Sequence, residues 1–130
     1  MVKNFSVIAG SGKYTVSITA GLTGNGIILQ LLGGEKPHVG AVVISLPRPS
    51  LRDPAQISCN SIVVPILGHK DDELAKPVAE RVACLSGQST VVIAGVHTDN
   101  ATTSAICLLK ENTSAALDKL CSLLSDIISQ

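Results

Sequence analysis

Residues 13 to 34 read KYTVSITAGLTGNGIILQLLGG, and this stretch limits the fold more than any other. Tyr14, Val16 and Ile18 alternate with Thr15, Ser17 and Thr19, the period of two that a half-buried strand requires. Gly24-Asn25-Gly26 can take the positive φ of a tight turn, and an apolar run follows it at once. The spacing predicts an antiparallel hairpin of residues 13–22 with residues 27–32. A short strand, SVIAG, precedes it, joined through Gly10-Ser11-Gly12.

Further strands follow. VGAVVISL, a β-branched run ended by Pro47 and Pro49, has the pattern of a strand buried on both faces. PRPSLRDPAQIS holds three prolines and is expected to be a surface loop, long enough to cover something. NSIVVPILG is the next strand, with Pro65 pointing to an edge, a bulge or an irregular segment.

The pattern then changes. HKDDELAKPVAERVACLSG sets Leu74, Val78, Val82 and Leu85 on one helical stripe, with Asp71 and Asp72 in the first turn and Gly87 as the stop. Pro77 implies a kink or a later start. STVVIAGVH is another buried strand. DNATTSAICLLK and TSAALDKLCSLLSDIISQ are two helices, the last carrying Leu117, Leu120, Leu124 and Ile128 on its inner face. Strands clustered early and helices late give an α+β fold: a largely antiparallel sheet packed against helices, in a single domain of residues 1–130.

Composition narrows the function. Ten basic and ten acidic residues leave no net charge to attract nucleic acid or an anionic membrane. Phe5 and Tyr14 are the only aromatics, too few for base stacking. No apolar run nears the ~20 residues of a membrane helix, and the N-terminal run is too short for a signal peptide. The expected compartment is the cytoplasm. Cys59, Cys84, Cys107 and Cys121 lack metal-ligand spacing and are expected to pack as small buried hydrophobes. Walker A, dinucleotide and GxSxG motifs are absent; GSGKYT lacks the first glycine of a phosphate loop.

The three histidines all stand at junctions. His38 follows GGEKP at a strand entrance, while His69 and His97 follow strands and precede helices. Strand ends are where sheet proteins build pockets, so the three are candidates for one site. GHKDD and GVHTDNAT each place Gly, His and Asp at a helix start, where free N–H groups favour an anion such as phosphate. Lys70 or Lys36 would add charge there. Asp71, Asp72, Asp99 and Asn100 can instead cap those helices, which competes with anion binding.

GGEKPHVGAVVIS, LGHKDDELAKPVAERVA and VVIAGVHTDNATTSAI occur in that order. Over roughly residues 15 to 110 the chain resembles the prenylated flavin chaperone-like, or LpdD-like, accessory proteins of UbiD-type aromatic-acid decarboxylases. The resemblance implies a proteasome-assembly-chaperone-like fold, often paired as a dimer, and a role in holding or delivering prenylated FMN. It carries over Gly33, Gly34, Pro37, His38, Gly40, Gly68, His69, Gly95, His97, Asp99, Asn100 and Thr102; with Lys70, and without Gly40 and Gly95, these form the expected cofactor-binding set.

Three classes of function fit. In the first, a non-enzymatic carrier delivers prenylated FMN to a UbiD-type decarboxylase, and the chemistry belongs to the cofactor and its recipient. In the second, His38, His69 and His97 ligate a metal, with Asp99 or Asp71 as base. The third is an assembly or interaction protein without a small ligand. High apolar content with few charges favours a homodimer or higher oligomer under each.

Overall fold

The computed structural model describes residues 2–66 and 70–129. Seven residues, Lys3–Ala9, form β1, which pairs antiparallel with β2 (Val16–Leu22). The predicted hairpin is present: β2 lies antiparallel to β3 (Ile27–Gly34), with Val16 opposite Gly33 and Leu22 opposite Ile27. Lys13 and Tyr14 are not in the strand as expected. They belong to a single 3-10 turn, Gly12–Tyr14, closed by the Tyr14 and Thr15 amides on the Ser11 and Gly12 carbonyls.

After β3 come β4 (Ala41–Pro49) and β5 (Ile57–Pro65), then α1 (Asp72–Ser86), β6 (Thr90–His97) and α2 (Thr103–Ile128). The sheet runs β1-β2-β3-β6-β4-β5, and among the described strands only β3 and β6 pair parallel. α1 makes that connection possible, crossing β4, β5 and β6 on its way from the edge strand to the centre. α2 packs on β1 and β2, and the two helices touch. The core lies between helices and sheet, around Ile18, Leu29, Leu31, Val43, Val82, Val92, Leu120 and Leu124.

Several expectations are corrected. β4 continues through both prolines, because its pairing with β6 ends at Ser45 and Pro47 and Pro49 have a neighbour on one side only. Nor is β4 covered on both faces: Ala41, Val43 and Ser45 are buried, whereas Val42 and Ile44 are part exposed. The proline-rich loop shrinks to residues 50–56, closed by the Ser50 amide on the Gln56 carbonyl at 2.8 Å. Leu51 is 89% exposed and residues 51–56 are all exposed, so that loop is not packed over the described residues. Pro65 ends the edge strand β5, as one of the alternatives required.

α1 has the predicted limits and runs through Pro77 without a later start. It ends at Gly87, in the left-handed conformation, whose amide bonds the Ala83 carbonyl. Ala75, Ala79 and Ala83 join Val78 and Val82 in its buried face; Leu85 is exposed. The two C-terminal helices are one. Polar residues at the junction of the two are satisfied inside it: Thr113 bonds the Leu109 carbonyl, and Asn112 donates to the Tyr14 carbonyl. Leu117, Leu120 and Leu124 are buried, but Ile128 is 49% exposed at the last turn. Cys121 is buried as expected, Cys59 and Cys84 partly so, and Cys107 is exposed. Among the described residues no helix is long and apolar enough to cross a membrane.

Candidate functional site

The parallel pair β3–β6 fixes the site. It brings Gly34 opposite His97 at the common end of both strands, and the chain turns back there through residues 35–40 to enter β4. Gly34 has φ +76° and its missing side chain would overlap the His97 backbone, so glycine is required. The returning segment is bonded to β6 by the Lys36 amide on His97 O (3.1 Å) and the Gly40 amide on Ala94 O (2.7 Å). A side chain at Gly95 would occupy the position of the His38 carbonyl, so the segment passes directly against β6 there.

That route places His38 next to two acceptors. Nδ1 lies 2.9 Å from the Lys36 carbonyl and Nε2 lies 2.8 Å from Asp71 Oδ2. A carbonyl and a carboxylate both accept, so the ring donates from both nitrogens, the arrangement of an imidazolium. Partial burial lowers its pKa, but the Lys36 carbonyl and then the Asp71 carboxylate outweigh that and hold it above the ordinary histidine value. Asp71 was expected as a cap of α1. It occupies that position, yet its side chain makes no capping bond. Its Oδ1 instead accepts the Val96 amide at 2.8 Å, tying the start of α1 to β6.

His97 stands edge-on to His38, with ring centroids 6.0 Å apart. Its Nε2 bonds Asp99 Oδ1 at 2.9 Å, and the other Asp99 oxygen pairs with Lys36. Lys36 first and His97 second hold the Asp99 carboxyl below its usual range, and Asp99 in turn raises Lys36. Lys36 is therefore engaged outside the cavity. The hydroxyl of Thr102 caps α2 by accepting the Ala105 amide at 3.1 Å.

Between β6, α1 and the first turns of α2 is a cavity of about 490 Å³, within the ordinary range for a small-molecule site. His38, His97, Lys70, Asp71, Glu73, Asn100 and Lys110 supply its polar lining. Leu74, Val96, Ala101, Ile106 and Leu109 supply an aliphatic floor. Of the expected set, His38, Lys70, His97 and Asn100 line it. Gly33, Gly34, Asp99 and Thr102 shape its surroundings; Pro37 is in the returning segment, exposed. Gly68 and His69 lie outside the described residues.

The sequence reading omits Lys110, Ile106 and Leu109. Their signal was present: positions 106, 109 and 110 share one side of any helix that begins near Thr103. All three fall in the first predicted helix, but which side of a helix meets a cavity is set by tertiary packing and has no local signature. Among the described residues no group of three His, Cys, Asp or Glu side chains is placed to hold a metal.

The family model of the prenylated flavin chaperone LpdD-like domain matches residues 10–125. Among curated proteins none matches. A solved chain of a novel chaperone complex for yeast 20S proteasome assembly is similar over 98% of this chain and 98% of its own, at TM-score 0.61 and 19% identity. At that identity the likeness is one of fold.

Proposed function

The chain belongs to the prenylated flavin chaperone LpdD-like family, and from that premise we propose that it holds prenylated FMN and delivers it to a UbiD-type aromatic-acid decarboxylase in the cytoplasm. The reading is of a carrier and not of an enzyme. The observation that supports it is the composition of the cavity: two lysines, Lys70 and Lys110, at the polar margin of an aliphatic floor beside the start of α2. A phosphorylated ligand with a large apolar body needs that combination.

In this reading Lys70, Lys110 and the first amides of α2 hold the phosphate, while Leu74, Val96, Ile106 and Leu109 support the ring system. With so few aromatics in the chain, stacking is not available for that task. His97 donates to ligand oxygens from the cavity margin. His38, with both nitrogens bonded within the chain, positions the segment that carries it. Reactivity is supplied by the modified flavin once it reaches its recipient enzyme.

The test is to co-express the protein with a prenylated-flavin synthase, purify it, and identify bound material by mass and absorbance. Co-purification of prenylated FMN, and transfer of it to an apo-decarboxylase, is the expected result. Protein that emerges free of flavin and does not retain added prenylated FMN would overturn the reading.

A further inference from the structure

Independently of any ligand in the cavity, we propose that Cys59 and Cys84 are a modification site: a dithiol that small-molecule disulfides oxidise to an intrachain bridge, pinning the edge strand β5 to α1. Three contacts set the two elements against each other. The Ser61 hydroxyl donates to Glu80 Oε2 at 2.8 Å. Toward the other end of the pairing, Ile57 Cδ1 lies 3.8 Å from where a side chain at Gly87 would begin. Between these two contacts the Cys59 and Cys84 thiols meet in a hydrogen bond. Residues 57, 59 and 61 share one face of β5, while 80, 84 and 87 follow one side of α1 to its cap. Strand rise puts Cys59 ~6.6 Å from Ser61, and helix rise puts Cys84 ~6 Å from Glu80, so the two cysteines stand level.

Neither thiol is sealed in the core; both are part-buried. Cys84 also lines an open groove between α1 and α2, with Glu80, Arg81 and Asp118 along it. It is the thiol that a reagent reaches first. Burial, and then the neighbouring Cys84 thiol, hold Cys59 above the ordinary cysteine pKa, against a hydrogen bond to Ser61. A thiol of raised pKa is a poor leaving group, which slows the reopening of a bridge once formed. Cys121 lines the same groove but is only 6% exposed, and burial raises its thiol as well.

The chemistry is thiol–disulfide exchange. The Cys84 thiolate attacks one sulfur of an external disulfide RSSR; its S–S bond breaks, RS⁻ leaves, and a mixed disulfide forms on Cys84. The Cys59 thiolate then attacks the Cys84 sulfur and displaces the second RS⁻. The two protons given up by the cysteines end on two RSH, and the two electrons lost by the pair reduce the reagent. In a reducing compartment such a pair stays a dithiol and bridges under oxidative load. The loop that the bridge closes contains Lys70, Asp71, Glu73 and Leu74, the α1 wall of the cavity. Restraining that loop stabilises the fold.

The experiment incubates the folded protein with oxidised glutathione, alkylates the remaining thiols, and maps peptides by mass without reduction. Wild type and Cys121→Ser should each give one cross-linked pair, Cys59 with Cys84. Cys59→Ser should stop at glutathione on Cys84, and Cys84→Ser should show no bridge at Cys59. Cys107, exposed on α2, is the single-thiol control and should stop at the mixed disulfide. The bridged wild type should melt higher than the reduced form by on the order of 10 °C, and dithiothreitol should reverse the gain. The wild-type map and melt involve no substitution, so they stand whether or not a serine variant folds. A bridge from Cys84 to Cys121, glutathione on both Cys59 and Cys84 without a bridge, wild-type thiols that stay free, or a bridged protein that melts no higher would each overturn the proposal.

Discussion

Nε2 of His38 lies 2.8 Å from Oδ2 of Asp71, joining residues 33 positions apart at the point where the β3–β4 segment, the start of α1 and the end of β6 meet. The same carboxylate accepts the Val96 amide, and the other nitrogen of the ring is bonded to the Lys36 carbonyl. Three pieces of chain are thus held by one pair, and that pair forms part of the cavity wall.

The pair makes stability depend on pH. Burial opposes the charged imidazole, but its two acceptors raise the folded pKa above the ordinary value of about 6.5. A raised folded pKa gives stabilisation that is complete below the unfolded value and is lost as pH rises through the folded one. Melting temperature should therefore fall as pH rises above about 6.5, and His38→Gln should flatten that part of the profile. Identical profiles for the two proteins would show that the pair contributes nothing to it.

Asp71→Ala should destabilise the domain by about 1.5–3 kcal/mol, the usual value of a hydrogen bond to a charged group, because the Val96 amide and His38 both lose their acceptor. Asp71→Asn should lose less, since its carbonyl oxygen still serves Val96. Chemical denaturation of the two variants separates these outcomes; equal losses would mean that the His38 pair dominates and the Val96 bond is immaterial.

On α2, Leu120 is fully buried between the helix and the sheet, while Ile128 is half exposed. Leu120→Ala should cost roughly 2–5 kcal/mol, and Ile128→Ala no more than about 0.5 kcal/mol. Denaturant midpoints measure both. A large effect at Ile128 would mean that the last turn of α2 is covered in solution.

The difference between those two leucine-stripe positions illustrates what could be read from the sequence. Local signals were reliable where they were local: the Gly24-Asn25-Gly26 turn, the limits of α1 and its Gly87 stop follow from period and capping. Gly33, Gly34 and His38 were recognisable as a strand-end group, but not the parallel β3–β6 pairing that sets Gly34 against His97, because register between distant strands has no local signature. Asp71 has the sequence position of a cap, and a tertiary acceptor role displaced it. Lys110 lies in the first predicted helix beside Ile106 and Leu109, but that this side of α2 meets a cavity depends on tertiary packing and could not be read locally.

Lys110 carries the last prediction. It lies on α2 one residue beyond Leu109, where the aliphatic floor of the cavity meets its polar margin, and Lys70 stands on the same cavity from the α1 side. If the two hold a phosphate, a charged hydrogen bond worth ~1.5–3 kcal/mol is lost with either, so Lys110→Ala should weaken prenylated FMN binding by roughly tenfold to a hundredfold. The loss should shrink as salt rises, since screening weakens the lysine in the wild type too. Removing the phosphate from the ligand should abolish the difference between variant and wild type. Titrations with prenylated FMN and its dephosphorylated form, at low and high salt, measure all three effects. Equal weakening by Lys110→Ala for both ligands would mean that Lys110 acts on the shape of the cavity and not on the phosphate.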